Sequence, residues 1–179
     1  EQIPFIPTRL FKHYDLITTN RDSLFRTLKS SGTSSLNVSK IYLDKNNVNN
    51  QIKVLSKIVG EVFGKKRLPM IIIDKKLESD NLINLNARNT AIRGFSIFGK
   101  NHTYIINNSN EIDYNFLNLF LKEFGNSKFL VFGFTSDVFN FLIKKIDINK
   151  IKYDFRNGFL LHGGGWKKME ENKIDNKLF

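Results

Sequence analysis

Ser30-Ser31-Gly32-Thr33-Ser34-Ser35 gathers hydroxyls around one glycine, and Lys40 follows closely. Hydroxyls and exposed backbone amides wrap phosphate oxygens, and an ammonium adds charge. The order is not that of a Walker A loop, G-x-x-x-x-G-K-[ST]; the same residues also suit a flexible surface loop. His162-Gly163-Gly164-Gly165-Trp166-Lys167-Lys168 places successive glycines behind an apolar run. Glycine is costly to order, so such a run suits a backbone that passes close to a ligand. The other reading is a tight turn with Trp166 folded into the core. His162 is either a ligand contact or a structural histidine. Phe132-Gly133-Phe134-Thr135-Ser136 reads as a strand end at a helix start, where N–H groups point outward. Its plainer reading is an N-cap by Ser136. Arg88, with Ala87 before it and Gly94-Phe95-Ser96 beyond, has the guanidinium to clamp a carboxylate unless it is solvated or structural.

Other chemistries are excluded by what the chain lacks. With no cysteine, it forms no disulfide, thiolate metal site or cysteine nucleophile of its own. Neither G-x-S-x-G nor H-E-x-x-H occurs, and 3 scattered histidines do not make a metal site. The net charge of +11 invites a nucleic-acid reading. However, the lysines are dispersed among abundant Asn and Ile, and zinc-finger spacing, a basic region running into heptads and an RRM consensus are all missing. No nucleic-acid partner is expected; an anionic substrate such as ATP is sufficient use for the charge. No run approaches the roughly 20 apolar residues of a membrane span, and Glu1-Gln2-Ile3-Pro4 does not open a signal peptide. A cytoplasmic protein is expected. Because the chain lacks an initiator Met, it is also expected to start inside a longer product or to have been processed.

The elements that must position these residues follow from periodicity. Apolar residues make up 41% of the 179 residues, 17 of them Phe, which is enough for a real core. Ile3-Pro4-Phe5-Ile6-Pro7 is not helical, and residues 1–22 read as an extended arm. Ser23–Lys29 and Ser39–Asp44 read as strands on either side of the hydroxyl-rich loop. Val48, Ile52, Leu55, Ile58, Val59 and Val62 recur at helical spacing over 46–63, with Asp44 or an Asn as cap and Gly64 as stop. Leu68–Asp74 and Lys128–Phe134 are apolar runs of the kind buried on both faces of a parallel sheet. Ala91–Phe98 and Thr103–Ile106 read as strands around a Gly99-Lys100-Asn101 turn, and Phe159–Leu161 as a last short strand. Helices are expected over Asp113–Phe124, stopped by Gly125, and from Ser136 to Ile146. This alternation predicts an α/β fold, a mainly parallel sheet flanked by helices, with ligands beyond the carboxyl ends of the strands.

Taken in order, several segments resemble the acyl-protein synthetase (LuxE) family, a branch of the adenylate-forming enzymes. They are Ile3 to Pro7 through Phe11-Lys12, the Ser30-to-Asp44 loop and strand, Arg67 to Asp74, Ala87-Arg88, Gly94 to Gly99, Phe132 to Thr135, and His162 to Lys168. They span nearly the whole chain, and the HGGGWKK run with FGFT upstream is the most specific of them. The resemblance implies part of one ATP-binding, acyl-activating N-terminal domain, with the remainder of the enzyme beyond residue 179. It implies that a long-chain fatty-acid carboxylate attacks the α-phosphate of ATP, with Mg²⁺, and that the acyl group then passes to a protein cysteine to supply a fatty acid reductase partner. In that scheme Ser30 to Ser35 hold phosphates, Gly163 to Gly165, Trp166 and Lys167 border the adenylate, and Gly133, Phe134 and Thr135 meet substrate. Lys40, Arg88 and His162 are the catalytic candidates. Ser34-Ser35 stand where the family loop usually continues Thr-Gly, and the metal-binding Glu and acceptor Cys are expected after residue 179, so this segment alone is expected to be inactive. The alternatives are an acyl- or aryl-CoA ligase-like adenylating enzyme and a non-catalytic basic binding module.

Overall fold

The computed structural model describes residues 5–30, 38–76, 87–145, 153–166, 171 and 173–174. They fall into two compact units: one takes residues up to Lys66 together with 87–91, the other the remainder from Arg67 onward.

In the first unit, β1 (Leu24–Lys29) and β2 (Lys40–Asp44) pair antiparallel, with Leu28 opposite Ile41. Ser30 closes this ladder: its N–H donates to the Ser39 carbonyl and its Oγ accepts from the Ser39 N–H, both at 3.0 Å. Helix α2 (Lys45–Phe63) starts where expected, because the Asp44 carboxylate accepts the Asn47 N–H at 2.7 Å. It stops at Gly64, whose φ of 90° is open to glycine and strained for other residues. Val48 and Val59 are its buried residues, and Leu43 of β2 is buried as well. The arm expected to be extended over 1–22 is broken by the helical turn α1 (Leu10–His13) and a 3₁₀ turn at Arg21–Ser23. The Pro7 carbonyl takes the Leu10 N–H at 3.0 Å, so the proline starts the turn that it cannot continue. Asp15, between the two turns, accepts from the Tyr42 hydroxyl at 2.6 Å and from Lys40 Nζ and Arg21 at 3.5 and 3.4 Å.

The second unit is built on a four-stranded sheet in the order β4-β3-β5-β6, with every neighbouring pair parallel. The strands are β3 (Leu68–Ile72), β4 (Gly99–Tyr104), β5 (Phe129–Phe134) and β6 (Gly158–Gly163). Successive side chains face opposite sides. Ile71, Ile73, Phe129 and Val131 therefore join one cluster with Leu117 and Phe120 of α4 (Tyr114–Phe124) and with Val138, which directly follows the short helix α5 (Thr135–Asp137). On the other side Phe132 stacks on Phe95 of α3 (Ala87–Ser96) at 4.8 Å. Helices on both faces leave β3 and β5 almost wholly buried, as their apolar runs predicted. Asp113 caps α4 by accepting the Asn115 and Phe116 N–H groups, each at 3.1 Å.

Three further expectations are corrected. Residues up to Ser96 of the expected Ala91–Phe98 strand belong to helix α3, because Ile92 and Phe95, about one turn apart, pack inward: Ile92 is 1% exposed and Phe95 meets Phe132. Gly99-Lys100-Asn101 is not a turn but the start of β4. Gly99 lies so close to β3 that a Cβ there would fall 2.5 Å from Met70 Sδ. Asn101 takes a positive φ of 49° where the β3–β4 register slips, opposite Pro69 and Met70, so its turn-like conformation serves a β-bulge. Finally, Ser136 does not cap the helix after β5. Phe134 holds the cap position and makes no side-chain bond there, and Ser136 lies inside the Thr135–Asp137 turn, which widens into a π-helix over Val138–Ile143. Ile146, its expected end, lies outside the described residues.

Candidate functional site at the strand ends

The connections from β3 and β5 leave in opposite directions across the sheet, to β4 on one side and β6 on the other. Adjacent strands with diverging connections define a switch point, where a crevice opens beyond their carboxyl ends. Ile73 and Asp74 end one side of it, and Gly133, Phe134 and Thr135 the other. The chain is tight there: the Ile73 N–H donates to the Phe132 carbonyl at 2.8 Å, and a Cβ on Gly133 would sit 2.9 Å from Val138 Cγ2 and 3.0 Å from Ile73 Cβ.

The sheet brings two of the segments singled out by sequence side by side. Gly133 pairs with His162 and Phe134 with Gly163. Thr135, 6% exposed, places Oγ1 3.1 Å from His162 Nδ1 and donates to the Gly163 carbonyl at 3.1 Å. Gly164 and Gly165 follow with φ of 88° and 66°, turning the backbone where a side chain would be strained. A Cβ on Gly164 would also fall 2.8 Å from the Phe134 ring, so this backbone lies directly against Phe134. His162 and the three glycines are exposed, whereas Trp166 is buried, edge-on to Phe139 at 5.1 Å. Trp166 is thus folded into the core, as the tight-turn reading anticipates, and Lys167 lies outside the described residues.

The remaining candidates are placed in the first unit or fall outside the described residues. Ser31, Gly32, Thr33, Ser34 and Ser35 lie outside them, while Ser30 is committed to the β1–β2 ladder. Lys40 pairs with Asp15, whose carboxyl is held below the usual range chiefly by the Tyr42 hydroxyl, with Lys40 and Arg21 adding to the effect against partial burial. Arg88 is half-buried in the first turn of α3. One feature escaped the sequence reading: a cleft of about 650 Å³ lined by Lys76, His102, Tyr104, Asn107, Asp113 and Phe116. Burial raises the Tyr104 hydroxyl pKa, and the charge of Asp74 raises it further. The period-2 spacing of His102 and Tyr104 on a strand was the available signal, hidden by reading the strand's first residues as a turn.

Among the described residues no cluster of His, Asp or Glu is arranged to hold a metal ion, and no helix is long and apolar enough to cross a membrane. No curated protein and no solved structure matches the chain. The family model described as acyl-protein synthetase, LuxE, does match, over residues 1–179, and so takes in both strand-end segments and the hydroxyl-rich loop. The chain belongs to the acyl-protein synthetase (LuxE) family, a family of ligases.

Proposed function

We propose that this chain carries the nucleotide-binding part of an enzyme that activates a long-chain fatty acid with ATP. The carboxylate oxygen attacks the α-phosphorus and pyrophosphate leaves, giving acyl-adenylate. A cysteine thiolate then attacks the acyl carbonyl, AMP leaves, and a protein thioester is ready for a reductase partner. With no cysteine among the 179 residues, that thiol is contributed from outside them. Mg²⁺ is proposed to arrive with ATP. The described residues offer no carboxylate set that fits it, and no step is assigned to them through the metal.

The observation that carries this reading is the meeting of Thr135, His162 and the Gly163–Gly165 backbone at neighbouring strand ends, in a chain of this family. A backbone free of side chains over Gly163–Gly165 suits close approach of a nucleotide. Lys40, Arg88 and the Ser30–Ser35 loop are proposed to act on carboxylate and phosphate charge. Catalysis on this reading is positioning and charge stabilisation.

ATP–pyrophosphate exchange, measured on the protein that carries this chain with a panel of fatty acids, tests it. Exchange should require added fatty acid, and His162→Gln should lower it roughly tenfold, the effect of about 1.4 kcal/mol of lost interaction. No exchange with any carboxylate removes the adenylation reading.

A further inference from the structure

We infer that Thr135 is a positioning residue that locks the His162 ring in the Nδ1–H tautomer, so that Nε2 carries the lone pair. The argument is a count of protons. A threonine hydroxyl has one proton to give and lone pairs to receive with. The Gly163 carbonyl, 3.1 Å from Thr135 Oγ1, only accepts, so it takes that proton. His162 Nδ1, also 3.1 Å from Oγ1, is then left to donate. In a neutral imidazole a proton on Nδ1 places the acceptor on Nε2.

The lock is built into the backbone. Thr135 immediately follows β5, and the β5–β6 pairing of Gly133 with His162 and Phe134 with Gly163 fixes both partners relative to it. Thr135 as a whole is only 6% exposed, which limits competition from water. His102 supplies the opposite case within the same molecule. Its Nε2 lies 2.8 Å from the Ser96 carbonyl, so there the proton sits on Nε2.

Long-range ¹H–¹⁵N NMR of the full chain with ¹⁵N-labelled histidine reads the tautomer directly. The spectra are taken at about pH 8.5, two units above the ordinary imidazole value of about 6.5, with His162→Gln giving the assignment. His162 should show a protonated Nδ1 and His102 a protonated Nε2. Thr135→Val should shift His162 toward the Nε2–H form, and Thr135→Ser should restore the Nδ1–H pattern. A protonated Nε2 on His162 in the unsubstituted chain overturns the proposal even if Thr135→Val does not fold; an unchanged pattern in folded Thr135→Val overturns it too. The tautomer spectra need no ATP, so they decide the tautomer whatever the exchange assay returns.

Discussion

β3 and β5 carry buried residues at nearly every position, whereas β1 holds only Leu24 and Leu28 half-buried and leaves Phe25 57% exposed. The same contrast separates the helices. α4 buries Leu117 and Phe120 against a cluster of isoleucines, valines and phenylalanines. α2 buries Val48 and Val59 while Ile52, Val54, Ile58 and Val62 stay exposed. The second unit is thus organised by close apolar packing, and the first by a thin core with directed polar bonds such as Asp15 to Tyr42 and Ser30 to Ser39. The strand ends that hold Thr135 and His162 grow from the closely packed unit, where apolar contacts rather than exposed ion pairs, which contribute little, set the distances.

The sharpest way to break this contrast is to cut into the packed sheet. Phe129 is fully buried, edge-on to Phe120 at 5.5 Å and beside Phe155. Phe129→Ala should lower unfolding stability by about 3–5 kcal/mol in urea titration. Both units share one device, an aspartate cap, and the cost of removing it should not depend on the core beneath. Asp113→Ala and Asp44→Ala should each cost about 1 kcal/mol by the same measurement. A much larger loss at Asp44 would mean that the first unit rests on local capping alone. The smallest effect is expected at Ile58, 53% exposed on α2. Ile58→Ser should stay within about 0.5 kcal/mol, and a loss above 1 kcal/mol would show that this face is packed after all.

The same contrast explains what could be read from sequence. β3, β5, α2 and α4 announce themselves because burial on both faces, or an Asp cap ahead of a periodic run, leaves a local pattern. Helix α3 did not, because Ala91-Ile92-Arg93-Gly94-Phe95-Ser96 mixes β-formers with a glycine that weakens helices. Its helical state answers to a contact between Phe95 and Phe132 that is remote in sequence. At the site, the three glycines and His162 stood out as residues, and the parallel alignment of β5 with β6 was implicit in the alternating pattern. The bond from Thr135 to both His162 and Gly163 was not legible. It depends on register between strands, and Thr135 looked like one more polar residue at a helix start.

The slip opposite Pro69 and Met70 has a consequence for coexistence in a crowded solution. Among the described residues β4 ends the sheet, and a bare strand edge is a template onto which other chains can zip. Here the bulge at Asn101 disturbs the spacing of that edge, and Lys100 adds a cation to the same stretch. A foreign strand seeking a regular ladder meets an irregular, charged border, and the parallel sheet is discouraged from propagating into fibres.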